Sequence, residues 1–322
     1  MWVTASAPGK LLLLGDHAVV YNHPCLVAAV DIRYEVSICR QDIPKLEIET
    51  PELAQRKEVH TISLHDVGRH YRQETSFVEA AVSQMLRRYG GKTGLKIVTR
   101  GPKRSFGLGS SSAVTVATLA ALDRLFDLGL SRRELFNIGY QAVLDVQGLG
   151  SGFDVAAATY GGTLYYITGG TEIEPLPVTD LPFVIGYSGA KVGTTNLVKS
   201  VAERRRQYPE IVNGLFVAAH KLVDLGKDYL VERDWSAFGE LMDMHQGLLE
   251  ALGVSTGRLA ALIYAARDAG ASGAKLSGAG GGDCMYAATL DENRATVAQA
   301  IEAAGGELVP LPLGVEGVCV VN

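Results

Sequence analysis

The strongest chemical signal in this sequence is a glycine-serine loop, Phe106-Gly107-Leu108-Gly109-Ser110-Ser111-Ser112-Ala113. Its glycines free the backbone for close approach to a ligand, and its hydroxyls fall in what reads as the first turn of a helix. Unpaired N–H groups and the positive end of the helix dipole make such a terminus an anion site. The spacing is not G-x-x-x-x-G-K-[ST], so this is no Walker loop, and a Gly-Ser cap without ligand is the alternative. A second loop sets Ser277, Gly278, Ala279 and Gly280 ahead of Gly281, Gly282 and Asp283. Glycines at that density mark backbone passing close to something, or else a flexible connection. In a third stretch, Gly148-Leu149-Gly150-Ser151-Gly152-Phe153-Asp154, one carboxylate sits in a glycine-lined turn. It is either a general base or the cap of a helix from Val155. Lys10, in Pro8-Gly9-Lys10, would place an ammonium between two short strands, though alone it reads as a solvated strand-end lysine. Phosphoryl transfer needs phosphate-cradling N–H groups, a cation near the moving phosphate and a proton acceptor. Together the four stretches read as an ATP-dependent small-molecule kinase.

Composition bounds this reading. The chain has 322 residues, 47% apolar and 20% charged, enough for two ordinary domains with a sizeable core. The net charge of −5 and a longest basic run of Arg204-Arg205-Arg206 argue against nucleic acid as partner. Cys25, Cys39, Cys284 and Cys319 stand apart, with no C-x-x-C pair, and read as reduced thiols. No cleavable leader is recognisable, and the apolar Leu11–Leu14 is far too short to cross a bilayer, so a cytoplasmic location without membrane partner is expected.

The elements that must position these loops follow from periodicity. Short strands are expected at Val3–Ala7 and Leu11–Leu14, divided by Pro8-Gly9-Lys10, and a longer one at Cys25–Ile38. Lys45–Thr50, Val59–Leu64, Leu95–Thr99 and Thr163–Ile167 are further strand candidates. Helical spacing runs through Ser76–Tyr89, Ser112–Leu128 and Ser131–Val146, the last with Ser131 and Glu134 as a capping box. The prolines at 175, 177 and 182 mark a boundary, giving domains 1–180 and 181–322. Beyond it come a strand at Phe183–Gly186 and helices at Thr195–Gln207, Ile211–Leu230, Trp235–Leu252 and Arg258–Ala269. A strand–loop–strand at Ala274–Ala288, a helix at Glu292–Ala304 and strands near Glu307–Leu311 and Gly317–Val321 complete an α+β order.

Ala7-Pro8-Gly9-Lys10, the Gly-Leu-Gly-Ser-Ser-Ser loop and Lys275–Gly282 occur in the order and at about the spacing of one family. The chain resembles the GHMP kinases, in their mevalonate-pathway branch, over nearly its whole length. The resemblance implies a two-domain fold, N-terminal ribosomal-protein S5 domain 2-like and C-terminal ferredoxin-like, with ATP and Mg2+ as cofactors. It also implies that Gly107, Leu108, Gly109, Ser110, Ser111 and Ser112 hold the ATP phosphates, with Ser111 near the metal. Asp154 would be the base or charge partner, Lys10 would stabilise the transferring phosphate, and the 278–282 loop would close over the site. Substrate contacts are expected from His17, Ser151, Gly152, Lys191, Ser277, Gly278, Ala279 and Gly280.

Two acceptors stay open. Asp16–Tyr21 and Met244–Ser255 are similar to mevalonate kinases, whereas Gly150–Ala158, Gly186–Gly189 and the Asp283-Cys284 ending are similar to phosphomevalonate kinases. Mevalonate kinases usually carry a magnesium-binding Glu where this chain has Val143. These stretches favour phosphomevalonate, with mevalonate as the alternative and a non-catalytic nucleotide-binding relative as a remote one. A phosphate on the acceptor would call for extra cations, with Lys103, Arg104 and Lys191 as candidates and His17 as a hydrogen-bond donor. A small-molecule acceptor is the expected partner, with a homodimer possible.

Overall fold

A computed structural model describes residues 1–50, 59–102, 106–190 and 193–321. The expected cations Lys103, Arg104 and Lys191 lie outside the described residues.

Two sheets organise the chain. The first is built from β1 (Trp2–Leu14), β2 (Pro24–Gln41), β3 (Lys45–Glu49), β4 (Val59–Ser63), β5 (Gly94–Arg100), β6 (Thr163–Ile167) and β7 (Glu172–Leu176), with β12 (Cys319–Val321) arriving from the far end. Its order is β12-β1-β2-β5-β3-β4, and β6 pairs with the other half of β2 and carries β7. The helices α1 (Ser76–Tyr89), α2 (Ser110–Phe126), α3 (Arg132–Gln147) and α4 (Phe153–Tyr160) cover one face. Ser131 and Glu134 form the expected reciprocal cap at the start of α3.

The second sheet has the order β11-β8-β10-β9, formed by β8 (Phe183–Tyr187), β9 (Gly273–Leu276), β10 (Cys284–Ala288) and β11 (Glu307–Leu308). Around it lie α5 (Thr194–Gln207), α6 (Pro209–Glu232), α7 (Trp235–Ala251), α8 (Gly257–Asp268) and α9 (Arg294–Ala303). Side chains alternate along its strands: Phe183, Ile185 and Tyr187 of β8 join a core shared with the first sheet, and Val184 turns to the core under α8 and α9. The first sheet therefore ends at Leu176 and the second opens at Phe183, while the terminal strand β12 returns to pair with Thr4–Ser6.

The run Leu11–Leu14 is apolar throughout because both faces of β1 are buried. Leu12 packs under the helices, whereas Leu11 and Leu13 face the shared core. The expected break at Pro8-Gly9-Lys10 does not occur: β1 is one strand of thirteen residues with register shifts at Pro8/Gly9 and between Leu12 and Leu14. A bulge absorbs the irregular residues without ending the pairing. It also frees the outer edge of β1, which is used in sequence by β12, by Leu108 and by Ser277. The four cysteines are free thiols, two of them fully buried. Among the described residues, no helix is long and apolar enough to cross a membrane.

Candidate active site

The cleft forms where β1 meets both glycine loops. Lys10 N–H donates to the Leu108 carbonyl at 2.8 Å, which draws the 107–112 loop onto the strand just past its bulge. Gly109 then precedes α2 with φ 88°, and a Cβ there would lie 2.9 Å from Lys10 Cγ, so glycine is required twice over. The helix has no side-chain cap and no acidic residue in its first turn. Its first i→i−4 bond runs from Ala113 N to Gly109 O, so the N–H groups of Ser110, Ser111 and Ser112 precede the ladder. Ser110 and Ser111 face the cleft, while Ser112 is buried and donates through Oγ to Asp154 Oδ2 at 2.6 Å.

Asp154 is not the N-cap residue of its helix. Gly152, with φ 90°, holds the N-cap position of α4, and Asp154 sits in the first turn, its Oδ1 accepting from Val155 N–H at 3.0 Å. The carboxylate lines the cleft together with Lys10. Lys10 is not a solvated strand-end lysine: only 9% of it is exposed, and its Nζ lies 3.4 Å from the Gly107 carbonyl and 5.6 Å from the Phe153 ring centroid.

Opposite stands the second glycine loop, stitched to the first sheet residue by residue. Ser277 Oγ donates to Leu12 O at 2.9 Å and accepts from Leu12 N–H at 3.0 Å. Gly278 N–H donates to Asp16 Oδ1 at 2.6 Å, and His17 Nε2 lies 3.0 Å from the Ala279 carbonyl. Gly280 is held away from the cleft against Val254, where a Cβ would come within 2.3 Å of the Val254 carbonyl. The cleft has a cavity volume of about 260 Å³, and Lys10, His17, Gly107, Gly109, Ser151, Asp154, Ser277, Gly278 and Ala279 all border it. Leu108 and Ser112 stand behind this wall, with Gly152 beneath Tyr140 and Tyr166.

Under the second loop lies a cluster that the sequence reading missed. Lys275 Nζ donates to Asp16 Oδ2 at 2.7 Å, with both side chains fully buried, and His245 Nδ1 is 3.4 Å from the same oxygen. Burial pulls the Lys275 ammonium below its ordinary value against the raising influence of Asp16. Burial, and then the Lys275 charge, pushes His245 well below 6.5. Asp16 and Lys275 were visible only as parts of motifs, because nothing in a linear sequence brings residue 16 to residue 275. Asp283 also borders the cleft, packed against Gly107.

His17 corrects an expectation. Burial lowers its pKa from 6.5. A neutral ring facing the Ala279 carbonyl must carry its hydrogen on Nε2, so its donor is already engaged and is not available to an acceptor's phosphate. Among the described residues that border the cleft, Lys10 is the one lysine or arginine. An apolar part of the wall is formed by Val19, Val20 and Leu149, joined by Val198 from α5.

Residues 76–162 match the model of the GHMP kinases N terminal domain, and residues 227–307 that of the GHMP kinases C terminal domain. The mevalonate kinase of Pyrococcus abyssi is 40% identical over 98% of this chain and 96% of its own. The solved mevalonate kinase of Methanococcus jannaschii superposes with a TM-score of 0.80 at 24% identity, covering 97% of this chain and 98% of that one. Streptococcus pneumoniae phosphomevalonate kinase, solved with phosphomevalonate and AMPPNP, gives the same 0.80 at 21% identity, over 97% and 99%. Fold similarity therefore does not discriminate between the two. Sequence similarity does, and it runs against the preference for phosphomevalonate drawn from Gly150–Ala158.

Proposed function

We propose that this chain, which belongs to the GHMP kinase family, transfers the γ-phosphoryl group of ATP to the primary hydroxyl of mevalonate. The observation that carries the choice of acceptor is the 40% identity to a mevalonate kinase over nearly the full length of both chains.

In this reading the uncapped start of α2 takes the ATP phosphates, where the free N–H groups and the helix dipole favour negative charge. Asp154, fixed by the Ser112 hydroxyl, accepts the proton of the attacking hydroxyl as its oxygen bonds to the γ-phosphorus. The bond from that phosphorus to the bridging oxygen breaks, and ADP leaves with the electron pair. Lys10 balances charge on the transferring group from across the loop. The Ser110 and Ser111 hydroxyls offer the oxygen donors that a hard divalent cation takes, and Val143 faces the same cleft with hydrocarbon only. Ser111 and the nucleotide's own phosphate oxygens would hold Mg2+, which when bound neutralises charge on the phosphates.

The test is ATP-to-ADP turnover with mevalonate and with 5-phosphomevalonate offered separately. Mevalonate is expected to give a kcat/KM at least about a hundredfold higher, since groups left mispaired in a built site reject an analogue strongly. The opposite preference would restore the phosphomevalonate reading, and turnover of neither would remove both.

A further inference from the structure

Between β1 and β2 the backbone makes a turn that L-residues seldom make. Ala18 N–H donates to the Asp16 carbonyl at 2.7 Å, closing a three-residue ring around His17. His17 sits at φ 60°, ψ −44°, outside both the right-handed and the left-handed helical regions. This is the positive-φ γ-turn, the rare and strained form of that turn. Strain of this kind persists only where the surroundings over-determine it, and it collects at sites where geometry is used.

The surroundings here are specific. Asp16 is gripped at both oxygens, Oδ2 by Lys275 Nζ and Oδ1 by Gly278 N–H. His17 is gripped at its ring by the Ala279 carbonyl. The gripping residues come from β9 and the loop that follows it, while the gripped residues come from the turn just past the end of β1. The next turn of chain supplies Val19 and Val20 to the cleft. A buried ion pair is a poor device for stability alone, because matched apolar residues usually serve as well or better. This pair does what apolar residues could not: one carboxylate bridges an ammonium and a backbone N–H at fixed angles.

We infer that Asp16 and Lys275 are positioning residues, which hold the strained His17 turn against the glycine loop and so set the acceptor wall of the cleft before substrate arrives. The inference rests on reading that wall as the acceptor side.

Two measurements test it. The first compares the melting of His17→Gly with that of His17→Ala. Both delete the ring, and only glycine relieves the backbone. His17→Gly should melt at least about 2–4 °C above His17→Ala, the reverse of the usual order for an ordinary backbone position. Equal melting, or alanine the higher, overturns the strain and with it the proposal. The second makes the paired change Asp16→Leu with Lys275→Met, which leaves no buried charge uncompensated. Melting should stay within a few degrees of the parent, the acceptor KM should rise about tenfold or more, and the ATP KM should stay within about twofold. An unchanged acceptor KM would make the pair structural only, and a parallel rise in both KM values would mean general loosening; either overturns the proposal. The melting comparison uses no substrate and decides the matter even if the paired variant fails to fold. The KM comparison uses whichever acceptor the parent protein phosphorylates, so failure of the mevalonate reading leaves both results interpretable.

Discussion

On one side of the cleft, the surface proposed to take the ATP phosphates comes from one loop and the uncapped helix it opens, within Gly107–Ser112. On the other, the wall at Ser277–Ala279 gets its shape from Leu12, Asp16 and His17, more than 260 positions away. The first surface is made by backbone N–H groups that any helix start would offer, left uncapped. The second is made by side chains of one unit bonded to the backbone of the other. A phosphate site of the first kind tolerates change elsewhere in the chain, since its donors come with the helix. An acceptor site of the second kind depends on how the two sheets meet.

The sharpest way to break that contrast is at the point where the sides converge. Asp154→Asn keeps an oxygen for Ser112 to donate to and leaves Gly152 as the cap of α4, so the fold and the ATP KM should hold. Turnover should fall by ~10²–10⁴, the usual range for losing a general base. Stopped-flow measurement of the chemical step decides this, and near-normal rates would remove Asp154 from the reaction.

A smaller effect, confined to one side, is expected from Gly109→Val. A branched side chain at φ 88° meets Lys10 Cγ and pushes the loop off β1. The ATP KM should rise by at least about tenfold, while the affinity for the acceptor, measured by calorimetry without nucleotide, should change little. Equal losses for both ligands would mean that the two sides are not separate constructions.

The smallest effect concerns the joint under the acceptor wall. His245 is fully buried and its folded pKa lies well below the ordinary 6.5. In the unfolded chain the same ring takes a proton as pH falls below about 6.5, so the unfolded state then binds more protons than the folded one. The contribution of this group is therefore intact above 6.5 and is lost as pH falls below it, at up to ~1.4 kcal/mol per pH unit. His17, lowered in the same direction, adds to the slope. Melting followed from pH 7.5 to 5.5 should show the decline, and His245→Gln should flatten part of it. An unchanged slope in that variant would mean that His245 is protonated when folded.

How much of this could be read from the chain depends on how local each feature is. Ser76–Tyr89 was bounded at both ends by its periodicity, and the cap at Ser131 by two residues three apart. The glycine-serine loop was legible as a helix start for the same reason, since the loop and the first turn are contiguous. Pro8-Gly9-Lys10 was misread as a break because a bulge needs the partner strand to reveal it. Gly150–Ala158 pointed away from the acceptor that the full-length identity favours, and Gly152 in that stretch is also fixed by its packing under Tyr140 and Tyr166. The Asp16–Lys275 pair was out of reach altogether: a buried charge is recognisable only when its counter-charge is seen beside it.

The return of β12 to the first sheet bears on how the protein is made. Thr4–Ser6 find their partners in Cys319–Val321, and Arg33 reaches across to the carbonyls of Glu316 and Gly317. During synthesis at ~5–20 residues per second, the outer edge of β1 therefore waits on the order of ten seconds or more after the other strands of its sheet have emerged. An unpaired edge is an aggregation hazard for as long as it stays open. The nascent first sheet is consequently the stage at which a chaperone would matter most. A fragment ending near residue 180 would stay at that stage, with its edge never closed.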